Sequence, residues 1–413
     1  MTDDTNKKKI LFVINTLGRA GAETAMMALL RKLLQGENAG KYDISVFVLT
    51  GQGEMISELP EEVHVLNRKY YNESVLSSAG RDILKKTCLR SLLRRCNIIR
   101  LFPYLVSNAL SMRKTGFKAD KLLWRVLSDG ADRSDDHYDL AVAYLEGGST
   151  YYTADHVNAD KKAAFVHVDY VQAGYTRRLD RDCYGKIDRI FSVSDEVKDA
   201  FLKMYPEYAS KADVFHNILD TGRIISMSEK GTGFTDGFNG MRIVTVGRLT
   251  SQKAFEVSID AMKIIKEKNP GDVPIRWYVF GEGDQRPFLE ECIRKYNLEN
   301  DFILCGATDN PYPFIASADL YVHASRFEGK SIAIQEAQLL KKPIIASDCS
   351  GNREQIENGK DGILCNFNPD AIASSVLGLL YDETRKKEFG IAAFERISSV
   401  EDDTKKLMSL IME

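Results

Sequence analysis

Residues 241–267 read MRIVTVGRLTSQKAFEVSIDAMKIIKE. A β-rich run closes on Gly247, a short polar loop follows, and a segment of helical periodicity completes the unit. Residues 9–34, KILFVINTLGRAGAETAMMALLRKLL, repeat the pattern: a strand from about Lys9 to Asn15, a glycine turn, and an amphipathic helix from about Ala22. Further strand-like runs follow each opening. In the first half they are YDISVFVLT, EVHVL, YDLAVAYL, KAAFVHV and DRIFSVS; in the second, IRWYVFGEG, DFILCG, DLYVHAS, KPIIASD and DGILC. Strands alternating with helices predict parallel sheets covered on both faces, hence an α/β protein of two doubly wound, Rossmann-like domains facing across a cleft. Ligands of such sheets bind beyond the C-terminal strand ends.

Between the two halves, GTGFTDGFNG (231–240) has four glycines and no periodicity. The expected organisation is a first domain over 1–225, a linker over 226–240, a second domain over 241–395 and a final helix over 396–413 that crosses back to the first domain.

A length of 413 residues exceeds what one hydrophobic core usually serves, and 44% hydrophobic with 28% charged residues is ordinary for a soluble globular protein. No run of 18 apolar residues occurs and the N-terminal apolar run stops at Asn15, so neither a membrane span nor a signal peptide is expected. Seven scattered cysteines without Cys-x-x-Cys spacing argue against a disulfide framework or a zinc site and suit a reducing cytoplasm. The net charge of −3 hides an asymmetry: residues 81–125 hold twelve Lys/Arg against two Asp/Glu, a local +10 against −13 for the rest. Their bases interleave with apolar residues at helical spacing. Two readings follow: a helix lying on an anionic membrane surface, or a helical hairpin packed on its own domain with solvated charges. No recognition motif accompanies the charge, and no nucleic-acid partner is expected.

The loop Gly247-Arg248-Leu249-Thr250-Ser251-Gln252-Lys253 offers two cations at a strand's C-terminal end, a guanidinium fork and a point charge that together neutralise a diphosphate. Taken alone, the pair reads equally as solvated surface bases. Residues 326–348, RFEGKSIAIQEAQLLKKPIIASD, add a turn and then a helix from Ser331 to Leu340 that stops before Pro343. The N–H groups of Lys330 to Ile332 at its N-terminus form an anion site. Glu328 precedes that terminus, and Glu336 lies roughly 7 to 8 Å along the axis at about 1.5 Å per residue. Singly, each is a plausible surface charge. Their spacing suits a diphosphate with a sugar on either side, Glu336 chelating a ribose diol.

These stretches, with FGEGDQRPFLE, ASADLYVHAS and GKDGILC, resemble family 4 of the retaining glycosyltransferases with the GT-B fold, whose hallmark is the Glu-x7-Glu motif, here Glu328 to Glu336. In the first half the resemblance runs through GRAGAE, YDLAVAYLEGG, AFVHVD, IFSVSDEV and VFHNILD. It implies that Arg248 and Lys253, beside Gly247, hold the donor diphosphate, that Glu336 binds the ribose hydroxyls and that Glu328 and Gly329 sit beside the transferred sugar. It further implies that the turn at Gly306 and Ala307 meets the base through backbone, and that Gly18 and Gly21 form the first domain's glycine loop. That loop reads Gly-Arg-Ala-Gly-Ala-Glu here rather than with adjacent glycines. His167, after AFV, is expected to bond the donor sugar or leaving phosphate, and Asp169 to orient the acceptor hydroxyl. Lys330, in place of a bulky apolar residue, and Ser331 complete the donor set.

The implied reaction moves a sugar from a nucleoside-diphosphate sugar, UDP first and GDP second, to a hydroxyl of a saccharide acceptor with retention. No cofactor or metal is expected: a nucleotide-sugar is a co-substrate, and no Asp-x-Asp cluster accompanies the cations. The basic segment points to a lipid-linked acceptor in bacterial capsule, lipopolysaccharide or exopolysaccharide synthesis, with the protein cytoplasmic and peripheral on the inner membrane face. A catalytically idle sugar-nucleotide-binding scaffold and a nucleotide-sugar epimerase are the rival readings.

Overall fold

The computed structural model describes residues 7–412 apart from 95–98, 100, 103–105, 107–118 and 272. The chain forms two compact units, Met1–Ile218 with Asp402–Glu413, and Leu219–Glu401.

The first unit holds seven parallel strands among the described residues: β1 (Lys8–Ile14), β2 (Tyr42–Val48), β3 (His64–Val65), β4 (His137–Ala143), β5 (Asn158–Val166), β6 (Arg189–Ser192) and β7 (Ala212–Val214). Their order is β3-β2-β1-β4-β5-β6-β7. From Ile10 to Ile14 every β1 residue is buried, because helices cover both faces of a parallel sheet and leave no solvent side to alternate with. The three-residue strand β7 lies in a stretch without a β-rich run and was not expected.

The second unit repeats the design: β8 (Met241–Val246), β9 (Ile275–Phe280), β10 (Phe302–Gly306), β11 (Leu320–His323), β12 (Ile344–Ser347) and β13 (Ile363–Cys365), in the order β10-β9-β8-β11-β12-β13. The order reverses at β8 and β11, the crevice where doubly wound sheets take ligands. A buried chain locks the two strands there: the Trp277 indole donates to Thr245 Oγ1 (2.9 Å), whose hydroxyl donates to the Val322 carbonyl (2.6 Å).

Residues 226–240 are not a free linker. The division falls at Ile218/Leu219, and the helix Thr221–Ser228 packs on the helix Tyr312–Ala316 of the second unit. Within the glycine-rich stretch, Asp236 pairs with Arg242 (2.9 Å) and Arg276 (3.3 Å) and accepts the Tyr278 hydroxyl, while Phe234 and Phe238 lie under the guanidinium of Arg242. The glycines give turns; the charged and aromatic residues between them fix the segment in place.

The expected C-terminal helix also shifts. The helix Glu383–Ser398 runs through position 396, and the last helix is Thr404–Met412, which packs on β4 and β5 of the first unit. Asp403 there accepts from His216 at both backbone N–H and ring Nδ1 (2.7 Å each).

The basic segment 81–125 lies partly outside the described residues. The described parts include the helices Ser78–Leu93 and Ala119–Gly130, packed together. Arg125 does not belong to a surface face. It is fully buried, donating to the Leu179 and Asp180 carbonyls and to Asp155, over the ring of Tyr151. Among the described residues no helix is long and apolar enough to cross a membrane.

Candidate functional site

Lys253 and Glu328 are far apart in sequence and meet because two loops at the crevice are stitched together. Arg326 donates from its backbone to the Gln252 carbonyl (2.9 Å) and from its guanidinium to the Ser251 carbonyl (2.6 Å) and to Glu256 (2.5 Å). Gln252 returns a bond to the Phe327 carbonyl (2.9 Å). Ala254 follows in the left-handed region (φ 47°), a conformation that disfavours a Cβ, and turns the chain into the helix Phe255–Lys268.

The result is a buried cluster beyond β8 and β11. Lys253 Nζ lies 2.5 Å from Glu328 Oε1 and 3.3 Å from His323 Nε2, and that ring nitrogen is 3.1 Å from the same carboxylate oxygen. Ser325 Oγ adds a contact to His323 Nε2 at 3.4 Å. Burial pushes the Glu328 carboxyl upward, but the Lys253 charge and the His323 and Lys253 hydrogen bonds outweigh it and hold the group well below the usual carboxylate range. Burial and the neighbouring ammonium lower His323, whose Nδ1 is buried without a partner. The sequence reading passed over His323 because a lone histidine in an apolar strand carries no pattern.

Glu336 has the opposite fate. It lies in the helix Ile332–Leu339, where burial raises its pKa to about 7, and the single Tyr312 hydroxyl it accepts (2.9 Å) does not reverse that. Tyr312 was also missed, since its reach to Glu336 is purely tertiary. Ser331 is the N-cap rather than the first helical residue, its hydroxyl accepting from the Ile334 N–H (3.4 Å). The first-turn N–H groups of Ile332 and Ala333 have no partner within the helix. Gly329 is buried and Lys330 half-buried beside them.

Arg248 is exposed and makes no hydrogen bond or ion pair through its side chain among the described residues. Its loop is seated on the turn after β9. Gly281 (φ 157°) lies so near that a Cβ there would stand 1.9 Å from the Gly247 carbonyl oxygen. Gly306 (φ 83°) gives its carbonyl to the Gly281 N–H (2.8 Å), and Ala307 is exposed just beyond.

The remaining expected residues belong to the first unit. Gly18 is half-buried in the loop after β1, with room for a Cβ only 3.3 Å from Glu54, and Gly21 opens the helix Gly21–Leu34. His167 follows β5. Its backbone N–H donates to Glu146 (2.9 Å); burial lowers the ring to about 4, against a bond to the Tyr144 backbone, and Nε2 is buried without a partner. Asp169 is spent locally: it accepts from the Val171 and Gln172 N–H groups and the Gln172 amide, capping the turn. Among the described residues no group of three or more His, Cys, Asp or Glu is placed to hold a metal ion.

Residues 240–382 match the family model of the glycosyl transferases group 1. The chain is 29% identical over 154 residues to the poly(ribitol-phosphate) alpha-N-acetylglucosaminyltransferase of Staphylococcus aureus (strain COL), covering 37% of this chain and 31% of that protein. It is 26% identical over 247 residues to the amylovoran biosynthesis glycosyltransferase AmsD of Erwinia amylovora, covering 58% and 63%. The chain thus spans less than two thirds of the length of these relatives. Among solved structures it is similar to Anabaena Alr3699/HepE in complex with UDP-glucose, with a TM-score of 0.67, 16% identity and 98% of each chain covered. It is also similar to TarM, with a TM-score of 0.63, 15% identity and full coverage of both chains. With the two parallel sheets, these likenesses make the fold α/β of the GT-B type.

Proposed function

We propose that the protein is a retaining glycosyltransferase of family 4, taking a sugar from a nucleoside-diphosphate sugar, UDP before GDP, to a hydroxyl of a saccharide acceptor. The observation that carries this reading is the cluster at the β8/β11 crevice: Lys253 against Glu328 at 2.5 Å, the helix terminus at Ser331, and Glu336 with Tyr312 one helical stretch further. A lysine ammonium has three donors, so Lys253 can keep Glu328 and still take a phosphate oxygen. Arg248, exposed beside it, supplies a second cation, and the first-turn N–H groups a third positive pole. Stabilising the leaving diphosphate by these groups is the main catalytic term, and the departing phosphate accepts the proton of the incoming hydroxyl on the same face. In this reading no step needs a metal.

Support for cell-surface polysaccharide as the product comes from the relatives named above and from a further one. That is the Campylobacter jejuni N-acetylgalactosamine-N,N'-diacetylbacillosaminyl-diphospho-undecaprenol 4-alpha-N-acetylgalactosaminyltransferase, 24% identical over 233 residues, covering 54% of this chain and 61% of that protein. The acceptor of that protein is diphospho-undecaprenol-linked, and we assign the lipid-linked acceptor class here. The donor is tested by thermal unfolding against UDP, GDP, ADP, CMP and their sugars. Ligand at a hundred times its Kd stabilises by about 2.7 kcal/mol. A shift with UDP ligands that disappears in Arg248→Ala and Glu336→Ala is expected; no shift with any nucleotide removes the donor-site assignment. Retention is read from the anomeric proton signals of the product.

A further inference from the structure

The helix Ser78–Leu93 has two dissimilar faces. On its inner side Leu84 and Cys88 pack on the first unit's core, and Ser91 meets Gly130 so closely that a Cβ there would lie 2.4 Å from the Ser91 carbonyl oxygen. On this side the helix packs on its own domain, as the second of the two readings expected. The outer side carries Arg81, Lys85, Lys86, Leu89, Arg90, Leu93 and Arg94, all exposed.

Leu89 and Leu93 are 59% and 66% exposed, and Ile99 and Phe102 just beyond are 71% and 61% exposed. Apart from Met412 these are the most exposed large apolar side chains among the described residues. Single exposed leucines need no explanation; Leu89 and Leu93, one helical turn apart and set among these bases, make an apolar stripe that does. The bases beside them are not all consumed locally. Lys85 bonds Asp82 (2.9 Å) and Arg94 bonds Asp132 (2.5 Å), but the side chains of Lys86 and Arg90 make no ion pair among the described residues.

We propose that this outer face is a docking surface for an anionic lipid bilayer. A second copy of the chain fits poorly, because a two-fold contact would set these bases against their own copies. A nucleic acid would engage the bases and leave the exposed leucines in water. Only a bilayer with anionic headgroups meets both sets, taking the apolar side chains at the acyl boundary and the cations at the phosphates. The proposal does not depend on the glycosyl-transfer reading.

The test is co-sedimentation of the full chain with vesicles of phosphatidylcholine alone and of phosphatidylcholine with phosphatidylglycerol. Binding to the anionic vesicles only, weakened as salt is raised, is expected. Lys86→Ser and Arg90→Ser should each lower the partition roughly fivefold. Leu89→Ser with Leu93→Ser should abolish it while the melting temperature stays that of the parent, since both side chains are exposed. Failure to sediment with anionic vesicles, or unchanged binding by all the variants, overturns the proposal. So does a lipid-free dimer that Leu93→Asp converts to monomer, which would make a second copy the occupant.

Discussion

Glu328 and Glu336 are the same functional group in one short segment, and their surroundings drive them to opposite protonation behaviour. Glu328 has an ammonium at 2.5 Å and stays ionised; Glu336 has burial and one phenol, and its pKa rises to about 7. For Glu336 the folded state therefore binds a proton more tightly than the unfolded chain, whose carboxyl titrates near its ordinary value of 4.5. Between those two values the folded state holds the extra proton, so this group's contribution to stability is lost as pH rises through about 7. Glu336→Gln should be more stable than the parent at pH 8 and lose that part of the pH dependence, as urea midpoints across pH would show. If an ionised Glu336 chelates the ribose diol, UDP affinity should also weaken below about pH 7 in the parent more than in Glu336→Gln. The two glutamates were legible in the sequence because their spacing is a geometric statement about a helix. His323 and Tyr312 were not, since each acquires meaning only from what the fold places against it.

At the scale of elements, the glycines make a contrast that the sequence does not display. Gly281, after β9, faces the Gly247 carbonyl with φ at 157° and no room for a side chain. Gly378, in the helix Pro369–Leu380, has nothing within 4 Å of a Cβ. Gly281→Ala should therefore cost about 3 kcal/mol or more and displace the Arg248 loop, lowering nucleotide affinity as well. Gly378→Ala should stabilise by about 0.5–1 kcal/mol with affinity unchanged. Chemical denaturation with UDP titration separates the two cases. Strands were legible wherever β-branched residues run together, and β7 escaped because three residues make no run. The segment 231–240 misled for a related reason: glycine content is visible in sequence, but the Asp236 pairs that pin it come from β8 and β9.

Across the whole molecule, the chain leaves the first unit at Ile218 and returns at Asp402. The returning helix is integral there: Leu407 and Leu410 are buried, Asp403 holds His216, and Asp402 pairs with Lys32 (2.6 Å). Shortening the chain to Glu401 should destabilise the first unit and leave the second close to its parent stability, so that calorimetry shows one transition lowered and UDP still raising the other. The two-unit plan was legible from the paired strand-glycine-helix openings, whereas the boundary and the return depended on which surfaces the helices at 221–228 and 404–412 cover.

That return also orders events on the ribosome. The second unit is contiguous and can close as soon as its own residues emerge, but the first unit, although synthesised earlier, lacks the helix Thr404–Met412 until all of the second has been translated. At ordinary elongation rates the delay is roughly 10 to 40 s. During it, the surface of β4 and β5 that this helix covers is open to solvent and to chaperones, so the half of the molecule made first is the half finished last.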